Sequence, residues 1–145
     1  TVDKFMLMNK IIFPILCMFL VIPAMAQTTV QADERLIDSF GAARVQTMTN
    51  QTPDSIRYYN YFLNYSYEIW KAEDVEKYVN PTNAGSVILS EDNLAALDNL
   101  ENFNILKTGL KWSQDQVIWF KIENADFYIK LMSVNYIEKK FKAGK

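Results

Sequence analysis

Apolar residues follow three different spacings along the chain. Residues 11–22 form an apolar run, and from Glu34 onward apolar residues recur at steps of three and four, which is typical of amphipathic helices. Beyond residue 103 apolar and polar residues mostly alternate, which is typical of strands. Helices followed by local strands predict an α+β fold, in which N-terminal helices pack on a small antiparallel sheet with a C-terminal β-hairpin and a terminal helix.

Local signals bound the first two predicted helices. The first helix ends in a run of weak helix formers before Thr52, and Gly41 weakens its middle by about 1 kcal/mol relative to alanine. The second helix begins at Thr52-Pro53-Asp54. Thr52 is the expected cap, Pro53 suits the first helical position, and Asp54 complements the positive end of the helix dipole.

The middle of the chain has a less regular pattern. A helix and a strand over residues 65–71 both fit the sequence, and residues 72–78 fit a helical turn or a loop. Residues 80–85 contain the clearest break in the chain. A short strand is predicted over residues 86–89, and Ser90 is the expected cap of a further helix.

The last third of the chain is predicted to be mostly β-structure. Residues 103–110 alternate between two faces and are assigned to a strand. Residues 116–122 and 127–132 are rich in β-branched and aromatic residues, and a turn-forming segment separates them. This arrangement predicts a β-hairpin.

A final helix is predicted after the hairpin. Ser133 is its expected cap, and Tyr136, Ile137 and Phe141 are expected on its buried side. The lysines near the end of the chain place positive charge at the negative end of this helix.

Residues 8–26 have the three parts of a secretory signal peptide. Lys10 supplies the positive charge, residues 11–22 the apolar segment, and Ala24-Met25-Ala26 the cleavage site. The apolar segment is shorter than the ~20 residues that a membrane-spanning helix needs. We expect cleavage before Gln27. Residues 1–26 are then a removed signal peptide with upstream extra residues, and residues 27–145 form a single α+β domain.

Other interpretations of this N-terminal segment stay open. A buried core helix is one alternative, although no polar face interrupts the apolar run. An uncleaved signal would make the protein a membrane-tethered accessory. Cys17 follows Leu16 rather than a small residue, which disfavours lipidation, and cleavage before Gln27 removes this cysteine from the mature chain.

The composition excludes several familiar chemistries. The chain has no His, so a Ser-His-Asp triad, a Cys-His dyad and a histidine metal site are excluded. A net charge of −2 argues against nucleic-acid binding, which favours a basic excess. With 50% hydrophobic and 14% aromatic residues, the chain is too apolar to be disordered, and its length fits one packed domain.

Carboxylates are the remaining candidates for acid–base chemistry. Glycoside hydrolysis needs two of them at a set separation, one with a raised pKa and one ionised. The acidic groups are Asp33 with Glu34, Glu73 with Asp74 and Glu76, Glu91 with Asp92, and Glu123 with Asp126. Each lies where acids are expected for structural reasons. No catalytic residue, metal site or cofactor is therefore predicted, and a small exported hydrolase with paired carboxylates is the alternative function.

Residues 58–70 hold an unusual number of aromatic side chains. Tyr58, Tyr61, Tyr65 and Trp70 are the candidate binding residues, because such side chains combine rigid apolar area with a polar tip. Core packing of one helix face, with the other tyrosine hydroxyls meeting water or a neighbouring element, is the more common role of such residues. The leading hypothesis is an exported, small, non-catalytic binding or structural module whose aromatic surface contacts an envelope protein or a glycan.

Three features occur together in the sequence: a short signal ending before Gln27, the segment FNILK at residues 103–107, and a hairpin over residues 117–132 ahead of a terminal helix. In this organisation the chain resembles uncharacterised small signal-peptide-bearing proteins of bacterial envelopes. The resemblance implies the periplasm or cell envelope of a Gram-negative bacterium and no particular activity. The charge balance predicts no nucleic-acid partner, and the signal pattern predicts contact with the membrane only through the signal segment before cleavage.

Overall fold

The computed structural model describes residues 30–144 of the chain. The predicted signal peptide and its cleavage site lie outside the described residues. Within residues 30–144, six helices and a four-stranded sheet form an α+β fold, which confirms the predicted fold class. None of the helices in this part of the chain is long and apolar enough to cross a membrane.

Three helices precede the first strand, and one helix follows the last. The helices are α1 (Glu34–Phe40), α2 (Ala42–Gln51), α3 (Pro53–Tyr65), α4 (Ala72–Tyr78), α5 (Glu91–Ala95) and α6 (Val134–Ala143). The strands are β1 (Tyr67–Lys71), β2 (Gly85–Val87), β3 (Ile118–Ile122) and β4 (Phe127–Leu131). Three short 3₁₀ turns, at Ala96–Asp98, Leu100–Asn102 and Ile105–Thr108, connect α5 to β3.

The N-terminal helical region is divided at Gly41. This residue has a φ of +83°, a conformation that favours glycine, and it ends α1 and precedes α2. The prediction of one continuous helix with a weak middle is therefore wrong. The carboxylate of Asp33 caps α1 by accepting a hydrogen bond from the backbone N–H of Arg35.

Most of the predicted helix starts are confirmed. Pro53 occupies the first turn of α3, and the hydroxyls of Ser90 and Ser133 cap α5 and α6 by accepting from the backbone N–H three residues later. Thr52 differs from the prediction, because its side chain makes no cap bond to α3. Its hydroxyl donates instead to the carbonyl of Met48 at 3.3 Å, at the end of α2.

The sheet has the strand order β1-β4-β3-β2. β4 is antiparallel to both of its neighbours, which confirms the predicted hairpin and places a strand at the end of the ambiguous segment 65–71. β2 runs parallel to β3, so the sheet is mixed rather than wholly antiparallel. The chain between these two strands contains α5 and three turns, which is long enough to return it to the same end of the sheet.

Residues 103–110 form no strand, which contradicts the prediction for this segment. The side chain of Asn104 accepts a hydrogen bond from the N–H of Leu106 at 3.2 Å and so starts the 3₁₀ turn Ile105–Thr108. Phe103, Asn104 and Ile105 are all buried, so burial does not alternate along this segment as the sequence pattern suggests. The asparagine side chain binds the backbone locally and competes with the pairing that a strand requires.

The core lies between the helices and the inner face of the sheet. Its fully buried residues include Leu36, Ile56, Leu63, Phe103, Ile105, Ile122, Ile129 and Leu131. Gly85 allows Phe120 to pack closely, since a Cβ at position 85 would lie 2.7 Å from two atoms of the Phe120 ring. Because side chains alternate along each strand, Glu68, Trp70, Trp119, Lys121, Tyr128 and Lys130 share the outer face.

A polar network around Arg35 joins α1 to α3 and to the turns after α5. The largely buried Arg35 guanidinium donates to the Asp33 carboxylate at 2.7 and 2.9 Å. It also donates to the carbonyl of Phe103 at 3.1 Å and to the amide oxygen of Asn64 at 2.8 Å. These bonds from Arg35 hold the pKa of Asp33 below its ordinary value and outweigh the burial that would raise it.

Replacing Asp33 with a neutral residue is expected to make the free energy of unfolding depend less on pH in the acid range. A carboxyl group whose pKa is lowered on folding stabilises the protein above its unfolded-state pKa of ~3.9. That stabilisation is lost as the pH falls through the lower pKa of the folded state. Asp33→Asn keeps a capping oxygen and should lower the free energy of unfolding by about 1–2 kcal/mol at neutral pH, and by less in acid.

Urea unfolding at a series of pH values from about 3 to 7 measures this difference. Asp98→Asn, at an exposed carboxylate in a 3₁₀ turn, is the control and should leave the profile unchanged. If the free energy of unfolding falls equally with decreasing pH in the wild-type protein and in Asp33→Asn, then Asp33 contributes nothing to the loss of stability in acid.

Candidate functional site

The four predicted aromatic residues lie on two elements. Tyr58, Tyr61 and Tyr65 follow one another at steps of three and four along α3, which places them on one side of the helix. Tyr58 and Tyr61 are half-buried, whereas Tyr65 is 59% exposed. Trp70 is 38% exposed and lies on β1, on the outer face of the sheet. The structure therefore does not gather all four residues into one patch.

The aromatic side of α3 packs against α6. The ring of Phe141 lies 5.2 Å from that of Tyr58 in an edge-to-face arrangement and 5.5 Å from that of Tyr61. Tyr61 in turn lies 4.6 Å from Tyr65, with the two rings inclined by 31°. These distances are typical of stabilising aromatic pairs. Tyr58 and Tyr61 thus serve helix packing in part, and Tyr65 extends the aromatic row towards solvent.

A cleft of about 340 Å³ opens beside this row, and we call it the tyrosine cleft. It is lined by Tyr61, Asn64, Tyr65, Tyr67, Glu68, Met132, Tyr136 and Lys140. Burial raises the pKa of both Tyr61 and Tyr67, so their hydroxyls stay protonated at neutral pH and can donate as well as accept hydrogen bonds. Tyr58 lines a separate cavity of about 390 Å³.

Tyr136 lines the tyrosine cleft, and its predicted position in the core is wrong. It was expected on the buried side of the last helix with Ile137 and Phe141, but it is 48% exposed. Ile137 is fully buried and Phe141 half-buried, as expected. Because successive residues of a helix are rotated by ~100°, Tyr136 lies outside the stripe that Ile137 and Phe141 share at a spacing of four residues.

Glu68 lies between the tyrosine cleft and the outer sheet face. Its carboxylate accepts hydrogen bonds from the indole N–H of Trp70 at 2.9 Å and from the ammonium group of Lys130 at 3.0 Å. Burial would raise its pKa, but these two bonds hold the pKa of Glu68 below its ordinary value. Glu68 is therefore ionised at neutral pH, with its charge balanced by Lys130.

Trp70 belongs to a second aromatic group on the outer sheet face. Its ring lies 6.0 Å from that of Trp119, and the ammonium group of Lys130 lies 5.9 Å from both ring centroids. Trp119 also lies 6.5 Å from Tyr128, which is buried beneath it. Cation–π contacts of this kind stabilise the outer face of the sheet. The sequence alone does not predict that Trp119 and Lys130 lie beside Trp70. The three residues are on different strands and come together through the pairing of β1 with β4 and of β4 with β3.

Three of the acidic candidates line one cavity. Glu73 and Glu76 of α4 and Asp126 of the hairpin turn line a cavity of about 570 Å³ together with Lys71 and Lys121. All three acids are exposed, and Glu76 forms an ion pair with Lys121 at 3.1 Å. Hydrolysis by two carboxylates requires one acid whose surroundings raise its pKa. Exposure of the three acids does not provide such surroundings.

The remaining acidic pairs have structural roles. Asp33 binds Arg35, and Glu91 and Asp92 fill the first turn of α5. In the part of the chain that the structure describes, no group of three His, Cys, Asp or Glu side chains is placed to hold a metal ion. Comparison with protein-family models, curated proteins and solved structures finds no match for this chain.

Proposed function

We propose that the protein is an exported, non-catalytic binding module of the bacterial cell envelope, and that it binds a glycan in the tyrosine cleft. The signal-peptide pattern of residues 8–26 supports export. The observation that carries the binding proposal is the exposure of two tyrosines from different helices at one cleft. Tyr65 of α3 and Tyr136 of α6 both line it, and each keeps about half of its surface in contact with solvent.

The chemistry of the cleft favours a glycan over a protein partner. Its volume of about 340 Å³ lies at the lower end of the range for small-ligand pockets, ~300–1,000 Å³. Sugar rings offer apolar C–H faces that stack on aromatic rings, and hydroxyls that hydrogen-bond to polar groups at the ring edges. The phenol groups, the amide of Asn64 and the carboxylate of Glu68 supply those polar groups around the cleft.

Removal of the Tyr65 ring is expected to weaken glycan binding. The protein is purified from the periplasm of an expression host, applied to an array of bacterial surface glycans, and titrated calorimetrically with a soluble fragment of the glycan that it retains. Tyr65→Ala should lower the affinity about fivefold to twelvefold, because a lost aromatic contact costs about 1–1.5 kcal/mol. Tyr78→Ala removes a tyrosine on α4 that is more exposed than Tyr65 and does not line the cleft, and it should bind like the wild type.

The same preparation tests the other parts of the proposal. Mass spectrometry reads its N-terminus, for which we expect Gln27, whereas a retained Met8 would indicate a tethered chain. Equal affinities of Tyr65→Ala and the wild type would place glycan binding elsewhere. Retention of no glycan on the array would contradict glycan binding as such.

The second candidate function is hydrolysis at the cavity of Glu73, Glu76 and Asp126. It is favoured by the meeting of acids from two distant segments. Release of reducing ends from the array glycans, lost in Asp126→Asn and unaffected by Tyr65→Ala, would support the hydrolase and contradict a non-catalytic module.

A further inference from the structure

One acidic and one basic residue line the tyrosine cleft, and they differ in whether an ion pair neutralises them. Glu68 is the acidic residue that lines the cleft, and it is already bound by Lys130 and by the indole N–H of Trp70. Lys140 is the basic residue that lines the cleft. Among residues 30–144 it forms no ion pair with a carboxylate, and its ammonium group lies 5.7 Å from the ring centroid of Tyr136.

The surroundings of Lys140 add to this positive charge. Lys139 and Lys142 lie on the same end of α6, and of the two only Lys142 has an ion-pair partner among the described residues, Glu138 at 3.5 Å. With Glu68 neutralised by Lys130, the cleft carries the uncompensated charge of Lys140. A ligand with a negative charge at this end of the cleft would complement it.

We propose that the ligand of the tyrosine cleft is an acidic glycan, whose sugar carboxylate binds Lys140 while the ring stacks on Tyr65 or Tyr136. This inference rests on the proposed function and specifies its ligand class. A single lysine matches the single charge of a carboxylate. A phosphate monoester carries about −1.5 to −2 at neutral pH and is typically held by the paired donors of Arg side chains, and no Arg lines this cleft.

The position of Lys140 next to Tyr136 fits this ligand. The two residues are four apart on α6, so they lie on one side of the helix and both reach the cleft. A sugar ring stacked on Tyr136 would therefore present a substituent at its edge to the ammonium group. The nearby hydroxyls of Tyr61 and Tyr65 remain for the hydroxyls of the sugar.

The test compares ligands that differ only at the carboxyl group, which reduction converts from a carboxylate to a neutral hydroxymethyl group. Oligosaccharides of polygalacturonate, alginate and hyaluronan are each paired with their carboxyl-reduced form and titrated calorimetrically into the periplasmically purified protein. For at least one pair, the acidic form should bind about threefold to fivefold more tightly, the value of one exposed ion pair. This preference should shrink between about 0.01 M and about 0.5 M salt, because ions screen exposed charges.

Variants of Lys140 assign the effect to this side chain. Lys140→Gln should reduce the affinity for the acidic form to that of the reduced form, and Lys140→Arg should retain the preference. Lys139→Gln is the matched control, since it removes an exposed lysine of the same helix that does not line the cleft. The control should bind like the wild type. An equal loss of affinity for the acidic form in both Gln variants would mean that the positive charge of the whole helix end attracts the ligand, and it would overturn the assignment to Lys140.

The outcomes separate this inference from the proposed function. Equal affinity for both members of every pair, or binding of neutral array glycans with no binding of any acidic oligosaccharide, overturns the acidic ligand and leaves glycan binding intact. Binding of no glycan at all, on the array or in the titrations, overturns both proposals.

Discussion

Replacing Phe103 with alanine is expected to lower the free energy of unfolding by about 3–5 kcal/mol. The Phe103 side chain is fully buried, and its ring lies 5.3 Å from that of Tyr67 in the main core. Truncation removes a large apolar surface and leaves a cavity that the sheet and α1 cannot fill without moving. A loss of this size is a large part of the stability of an ordinary domain.

Chemical denaturation followed by tryptophan fluorescence measures this change. Leu100→Ala is the control, because Leu100 lies in the neighbouring 3₁₀ turn and is exposed. The control should change the free energy of unfolding by no more than about 0.5 kcal/mol. A comparably small effect of Phe103→Ala would be incompatible with a buried position for this ring.

Replacing Asn93 with alanine is expected to cost about 2–5 kcal/mol. Asn93 is 2% exposed, and its amide binds the backbone of Asn104 twice. Its Nδ2 donates to the Asn104 carbonyl at 3.1 Å, and its Oδ1 accepts from the Asn104 N–H at 2.9 Å. Alanine leaves both backbone groups buried without these partners, and each unsatisfied group costs about 1–3 kcal/mol.

Two further variants separate the effect of the Asn93 amide from the effect of losing any polar side chain. Asn102→Ala removes an exposed asparagine in the same connection and should be close to neutral. Asn93→Asp keeps the accepting oxygen but loses the donor and buries a charge, so it should be at least as destabilising as alanine. Unfolding midpoints in urea compare the three variants. A neutral Asn93→Ala would mean that water replaces the lost amide.

The elements that could be predicted from the sequence are those set by neighbouring residues. Pro53, Ser90 and Ser133 act within one helical turn, and the β3–β4 hairpin needs only a short turn between two strand patterns. The segment 103–110 was misassigned because the Asn104 side chain starts a 3₁₀ turn there, and because the Asn93 amide binds the backbone of Asn104 from 11 residues away. The parallel pairing of β2 likewise depends on a long connection that leaves no local pattern.

The candidate site was predictable to a smaller extent. The spacing of Tyr58, Tyr61 and Tyr65 correctly predicts that they share one side of a helix. It does not reveal that Phe141 covers part of this row, or that Tyr136 and Lys140 complete a cleft beside it. Those contacts arise from the packing of α6 on α3, two helices that are far apart in the sequence.

The central place of β4 in the sheet has a consequence for the order of assembly. β4 is the next-to-last element of the described chain, yet it is the strand that joins β1 to β3. β1 has no partner until residues 127–131 are available, so the sheet closes only after α1 to α5 and β3 have been synthesised. Such long-range pairing slows folding relative to a helical protein of similar length. A chain whose sheet closes this late stays unfolded for longer, as the export that we propose for this protein would require.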